Sequence, residues 1–313
     1  MKDLQSRQRY YCKVLDHCLN RAEIDEVRKS YTFQLELGSA TKPPLYALES
    51  TDQYMLCGDA GGCVHGFLWS SLQSRGQHSS AAFRFECVTP SASGSVDEVN
   101  SIASSADGEQ IITGGAGDNS VKLWKLEGAQ LLRSLHGHTD YIHQVCWRSE
   151  NEILSASEDG TVKFWDLRSN SCVSTLEPSK TACARPSLGN WIGCVTAAGD
   201  WLVCGGGPAL GIWHLPSFTL AKPLVAGTLD MIEQHAAVIQ DEMILTGASK
   251  SRLYQWNFMG ELTGEIPISA MCVYDIACSK ALRNRVTVCC GAGSMVDVFI
   301  SPQYRAFCMD VFA

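Results

Sequence analysis

The stretch Gly137–Arg168 reads GHTDYIHQVCWRSENEILSASEDGTVKFWDLR, and its pattern decides the fold. Ile142, Gln144 and Cys146 alternate with His143, Val145 and Trp147, the period of a strand with one face turned inward. Ile153-Leu154-Ser155-Ala156-Ser157 forms a second short strand. Glu158-Asp159-Gly160 follows as a tight hairpin turn, in which Gly160 supplies the positive φ that side chains resist. Thr161 to Leu167 is β-branched and aromatic, the composition of a third strand.

The Gly137-His138 opening and the Trp165-Asp166 close resemble a WD repeat, the sequence unit of a four-stranded propeller blade. In WD-repeat proteins a His after the Gly, a Ser on the second strand, a turn Asp and the third-strand Trp form a hydrogen-bonded tetrad. The resemblance assigns those roles to His138, Ser155, Asp159 and Trp165. A blade with little core of its own needs a partner for each buried polar group. The same residue types invite a catalytic reading, but a tetrad inside a blade faces no substrate pocket, and the scaffold reading is preferred.

Working outward, five more segments end on a short apolar strand closed by an aromatic residue. With the first they are Cys63–Phe67, Ser120–Trp124, Thr161–Trp165, Gly211–Trp213, Leu253–Trp256 and Val296–Phe299. Successive closing aromatics lie 57, 41, 48, 43 and 43 residues apart, against about 40–45 for this repeat class. Ten residues before the closer sits a small residue: Cys57, Gly114, Ser155, Thr246 or Cys289. The fourth repeat departs by one, with Cys204 nine before Trp213 and a Gly205-Gly206-Gly207-Pro208 turn. Polar insertions at Ser70–Ser80 and Thr89–Ser95 lengthen the first interval. The expectation is an all-β WD-repeat propeller with six clear repeats over residues 31–313. A propeller accommodates about 300 residues as one unit, because each blade packs mainly on its neighbours.

Composition narrows the function classes. Fifteen cysteines, an odd count at irregular spacing, argue against a disulfide framework and for a reducing compartment. Cys57, Cys146, Cys204 and Cys289 fall on expected strands and read as small buried hydrophobes. No CxxC pair occurs, and Cys12, His17 and Cys18 do not share a helix face, so no metal site is expected. Gly114–Gly117 and Gly205–Gly207 imitate phosphate loops but lack the following Lys and helix. No apolar run is long enough to span a bilayer and no N-terminal apolar segment resembles a signal peptide. With a net charge of −8 and Arg28-Lys29 as the only adjacent basic pair, a strong grip on nucleic acid is not expected. No cofactor and no small-molecule substrate are implied. Paired carboxylates and activated nucleophiles are also missing, so the chain reads as non-enzymatic.

The ends read differently. Residues 1–37 contain no Gly and no Pro, and Leu4, Tyr11, Leu15, Cys18 and Leu19 fall at helical spacing. Residues 1–30 are therefore expected to be helical or a remnant of a first blade. Tyr304–Phe312 is a single strand expected to close the propeller by joining a blade with the N-terminal part of the chain.

A rigid propeller with exposed loops is a binding platform. Partner-binding residues usually lie at the start of each innermost strand, which selects Tyr141 and, in the matching GNWIGCV frame, Trp191. The irregular Pro178–Leu188 loop with Arg185-Pro186 adds Arg185. GHTDYIH, SEDGTVKFWDLR, Arg185-Pro186, GNWIGCV, the Asp200–Leu215 string DWLVCGGGPALGIWHL and the terminal YRAF together resemble the subunit-six family of the THO complex, over about Tyr46–Phe307. That resemblance implies a seven-bladed scaffold subunit of the nuclear THO/TREX assembly, coupling transcription and processing of mRNA to export. It also implies docking on coiled-coil subunits five and seven, with mRNA touched weakly or indirectly. The departure is at residues 1–30, which carry no repeat signature where the family has a blade. The alternative rests on Trp165-Asp166-Leu167-Arg168, which matches the WDxR pattern of substrate receptors of cullin-based ubiquitin ligases, with Arg168 contacting the adaptor.

Overall fold

The computed structural model describes residues 45–72, 81–87, 98–181, 183, 189–207, 209–225, 234–278, 286–292, 295–301 and 304–310. The expectation for residues 1–30 lies outside them. The described chain is all-β, built as the four-stranded antiparallel blades of a WD-repeat propeller. Blade one is Leu45–Ser50 (β1), Tyr54–Asp59 (β2), Cys63–Leu68 (β3) and Phe83–Glu86 (β4). Blade two is Val99–Ser104 (β5), Gln110–Gly115 (β6), Val121–Lys125 (β7) and Gln130–Leu135 (β8). Blade three is Ile142–Ser149 (β9), Glu152–Ser157 (β10), Val162–Asp166 (β11) and Ser171–Leu176 (β12). Blade four is Cys194–Ala198 (β13), Trp201–Gly206 (β14), Ala209–His214 (β15) and Thr219–Leu224 (β16). Blade five is Gln234–Gln240 (β17), Met243–Ala248 (β18), Arg252–Asn257 (β19) and Leu262–Pro267 (β20). Blade six is Val273–Cys278 (β21), Thr287–Gly291 (β22), Met295–Ser301 (β23) and Tyr304–Asp310 (β24). All six expected closing aromatics lie on the third strands, with Ser120 and Thr161 just before theirs. Blades one to three fall in one compact unit and blades four to six in another, divided after Leu176.

The last strand corrects an expectation. β24 pairs antiparallel with β23, its neighbour in sequence, with Val298 opposite Phe307 and Ser301 opposite Tyr304. Blade six therefore takes all four strands from one continuous segment. The pairing of Ser301 with Tyr304 joins β23 to β24 locally, which needs no distant strand.

Each core is shared between neighbouring blades. Ile112, Leu123 and Leu135 of blade two pack with Ile142, Val145, Ile153 and Trp165 of blade three. Val203, Ile212 and Leu224 of blade four pack with Ile244, Tyr254 and Trp256 of blade five. Burying such a side chain stabilises by about 1.5–3 kcal/mol, so a blade depends on the one beside it. The close approach has a sequence device. A glycine on the second strand stands against a β-branched residue opening the next inner strand. A Cβ at Gly58 would lie 2.5 Å from Val99, at Gly114 2.6 Å from Ile142 and at Gly247 2.3 Å from Val273.

Two kinds of bulge recur. In blades two to six the outer strand shifts register beside the closing aromatic, at Trp124, Trp165, Trp213, Trp256 and Phe299. Such bulges twist an edge strand away from further pairing. The inner strands shift near their leading ends, between Leu45 and Ala47, Val99 and Ser101, Ile142 and Gln144, Gln234 and Ala236, and Val273 and Asp275. The skipped residues are Tyr46, Asn100, His143, His235 and Tyr274.

Candidate functional site

Blade three holds a continuous polar chain. The Trp165 indole N–H donates to Ser155 Oγ at 2.8 Å, and Ser155 Oγ lies 2.7 Å from His138 Nε2. His138 Nδ1 lies 2.7 Å from Asp159 Oδ2. Asp159 also accepts from the Thr139 backbone N–H at 3.1 Å and from the Thr161 backbone N–H and hydroxyl at 3.0 and 2.7 Å. Burial works against the Asp159 charge, but the bonds from His138 and Thr161 outweigh it and hold the carboxyl well below the usual carboxylate range. With Asp159 ionised, the donors run one way: Nδ1–H to the carboxylate, the Ser155 hydroxyl to Nε2, the indole to the Ser155 oxygen. The structure thus brings His138, Ser155, Asp159 and Trp165 together as one unit. Ser155 is sealed and its oxygen is already engaged by an indole, so the set has the connectivity of a catalytic triad without a place for substrate. Its contribution is to fix the turn and both flanking strands.

The other blades vary this theme at one register position, two residues beyond the partner of the closing aromatic. Trp124 donates to Thr113 Oγ1 at 3.0 Å and Trp256 to Thr246 Oγ1 at 3.0 Å. Thr113, and not Gly114, is therefore the blade-two equivalent, because the β6–β7 hairpin is one residue longer; Gly114 serves the seam with Ile142. Where the closer is Phe67 or Phe299, which has no N–H to offer, the position holds Cys57 or Cys289. Blade four mixes the two: the Trp213 indole N–H has Cys204 beside it and no nitrogen or oxygen acceptor among the described residues. Burial pushes the thiols of Cys57, Cys204 and Cys289 up, and that of Cys146 to about 12, so they stay protonated and behave as apolar filling. Cys146 departs from the expectation in one respect, since it is only partly buried: it sits at an intermediate position of β9.

The leading ends of the inner strands carry the exposed rings. Tyr141 is 47% exposed directly before β9, and its carbonyl accepts from the Glu158 N–H at 2.8 Å, so its backbone is fixed while its ring reaches solvent. Beside it His143 Nε2 lies 2.7 Å from Glu158 Oε2. In blade four the half-buried Trp191 ring is laid on backbone: a Cβ at Gly206 would stand 2.4 Å from it and one at Gly193 2.8 Å. The rings of His235 and Tyr274 meet edge-on at 5.6 Å, and Asn100 Nδ2 donates to the Ile142 carbonyl at 3.1 Å. These last three were not singled out from the sequence; the signal lies in the inner-strand bulge, which sequence periodicity hides.

The WD domain, G-beta repeat family matches residues 87–125 and 129–166, spanning most of blades two and three. The chain is 35% identical over 307 residues to the THO complex subunit 6 homolog of Rattus norvegicus, covering 95% of this chain and 86% of that one. It is 33% identical over 307 residues to the homolog of Mus musculus, with the same coverage. To THO complex subunit 6 of Homo sapiens it is 34% identical over 298 residues, 92% of this chain and 82% of that one. The chain belongs to the THO complex subunit 6 family.

For a member of the THO complex subunit 6 family, the remaining candidates are placed as follows. Arg168 is exposed after β11 and folds back on Asp166, with Nε and Nη2 donating to the two carboxylate oxygens at 3.0 and 2.8 Å. That fork, with the Arg168 backbone N–H at 2.8 Å, holds the Asp166 carboxyl down at about 2. Arg185 lies outside the described residues, although Pro178 and Cys183 of the same loop are buried. Among the described residues no group of His, Cys, Asp and Glu is placed to hold a metal ion, and no helix is long and apolar enough to cross a membrane. Cys12, His17 and Cys18 lie outside them.

Proposed function

We propose that this chain is a non-catalytic interaction subunit of a nuclear THO/TREX assembly, where it helps couple transcription and processing of mRNA to export. The observation that carries the reading is the similarity to THO complex subunit 6 proteins across 95% of the chain. The polar centre of blade three is consumed by scaffold bonds, which leaves surfaces as the means of action. Its partners in this reading are other THO subunits, first the coiled-coil subunits five and seven. Tyr141, Trp191 and Arg185 supply the contacts, the two rings being of the type that anchors interfaces. mRNA is reached indirectly or weakly, consistent with a net charge of −8. Affinity purification of the full chain from nuclear extract tests this. Recovery of coiled-coil THO subunits in stoichiometric amounts is expected, and their absence, with cullin-ligase adaptors recovered instead, would overturn it.

A further inference from the structure

Three seams between described blades are filled the same way. Val99, Ile142 and Val273 open β5, β9 and β21, each fully or almost fully buried, each against a glycine of the preceding blade. The seam between blades four and five breaks the pattern. The residue opening β17 is Gln234, paired with Ala248 as Val273 is paired with Gly291 and followed by the same bulge. Gln234 is 0% exposed, and both Nε2 and Oε1 are without a hydrogen-bond partner among the described residues. Its backbone is fully engaged: the Gln234 N–H donates to the Gly207 carbonyl at 2.7 Å, bridging to the end of blade four.

A buried amide with neither end bonded keeps its full desolvation penalty, which an apolar side chain at the same place would not carry. We infer that the blade four–five seam is a binding site for internal water, held by the Gln234 carboxamide. The chemistry selects the ligand. A carboxamide presents an acceptor oxygen and an NH2 donor side by side, so a single occupant that satisfies it both donates and accepts. A sealed site admits only the smallest such molecule, and buried waters commonly satisfy two to four polar groups in this way. Trp191 lies next to the site, because its ring rests on Gly206 and the next residue, Gly207, holds Gln234.

The test is a high-resolution crystal structure of the full chain beside the Gln234→Val and Gln234→Met variants, which replace the amide by the apolar filling of the other seams. A spherical density peak within hydrogen-bond distance of Nε2 or Oε1 is expected in the wild type and its loss in both variants. A wild-type amide bonded directly to protein atoms, or without a density peak, would overturn the inference. So would a peak that persists in either variant. Should Gln234→Val not fold, Gln234→Met, closer in length and volume, decides the second comparison. If neither crystallises, selective ¹⁵N labelling of glutamine gives the same answer through a water cross-peak at the Gln234 amide.

Discussion

Thr113 accepts the Trp124 indole N–H at 3.0 Å across eleven positions of sequence, the bond that Ser155 makes with Trp165 across ten. The register is conserved in space while the hairpin length changes, so the indole–hydroxyl bond belongs to the fold and not to the spacing. Ser155→Ala removes the acceptor for Trp165 and the partner of His138 at once. Each orphaned buried group costs about 1–3 kcal/mol, so a marked fall in the urea midpoint with an unchanged m-value is expected. Ser155→Cys, which copies blades one, four and six, should lose less. Equal stability of Ser155→Ala and wild type would mean that the chain contributes nothing net.

Asp159 gives that chain a pH dependence. Its carboxyl is held below the ordinary range in the folded protein, chiefly by His138 and Thr161 against the opposing effect of burial. An unfolded carboxyl titrates near pH 4, so the Asp159 contribution is complete above that pH. It fades as pH falls toward the lower folded value, because protons then bind the unfolded chain first. Melting temperatures of wild type and Asp159→Asn should differ most near neutrality and converge in acid. A difference that stays constant from pH 7 to pH 3 would show that the carboxylate charge is immaterial.

Much of this was legible in the sequence, and the failures share a cause. The closing aromatics and the turn at Asp159-Gly160 announce themselves because hydrogen bonding and positive φ restrict the residue types allowed. The ten-residue offset points to Gly114 where the register uses Thr113, because a fixed offset from the closing aromatic stands for register only while hairpin length is constant. The Tyr304–Phe312 strand is legible but its pairing with β23 is not, because a strand pattern carries no information about its partner. The inner-strand bulges that place Asn100, His235 and Tyr274 leave no trace in periodicity, since one extra residue inverts the alternation locally.

The seam glycines predict a cost that depends on geometry and not on propensity. Gly247→Ala puts a methyl group 2.5 Å from the Val273 Cβ, so the start of β21 has to move and not merely a rotamer. Overpacking of this kind costs about 1–3 kcal/mol. Gly264→Ala on the outer strand meets its nearest atom, Gln255 Oε1, at 3.3 Å and serves as the control, with little change expected. Similar urea midpoints for the two variants would remove the argument that glycine sets the approach of blades five and six.

Arg168 separates the two assemblies. Its side chain is 73% exposed, so Arg168→Ala should leave the melting temperature of the protein nearly unchanged. Under the proposed function the variant still captures coiled-coil THO subunits at the wild-type level. Loss of a cullin adaptor from the purified material, with THO capture intact, would instead establish the ligase reading.

Tyr141 is the sharper probe of the interaction surface, because its ring is the exposed part of a residue whose backbone is already fixed. Removing it costs the free protein little: the residue is exposed, and the Glu158 N–H bonds to its carbonyl, which alanine retains. An aromatic anchor at an interface is worth about 2 kcal/mol or more, close to thirtyfold in affinity. Tyr141→Ala is therefore expected to fold and melt as the wild type does while its capture of THO subunits falls at least tenfold. Trp191→Ala is less clean, since that ring also covers Gly193 and Gly206, and a stability loss would accompany any binding loss. Wild-type capture by Tyr141→Ala would move the contact surface away from the leading end of β9, and simultaneous loss of stability and capture in Trp191→Ala alone would leave Trp191 as a structural ring.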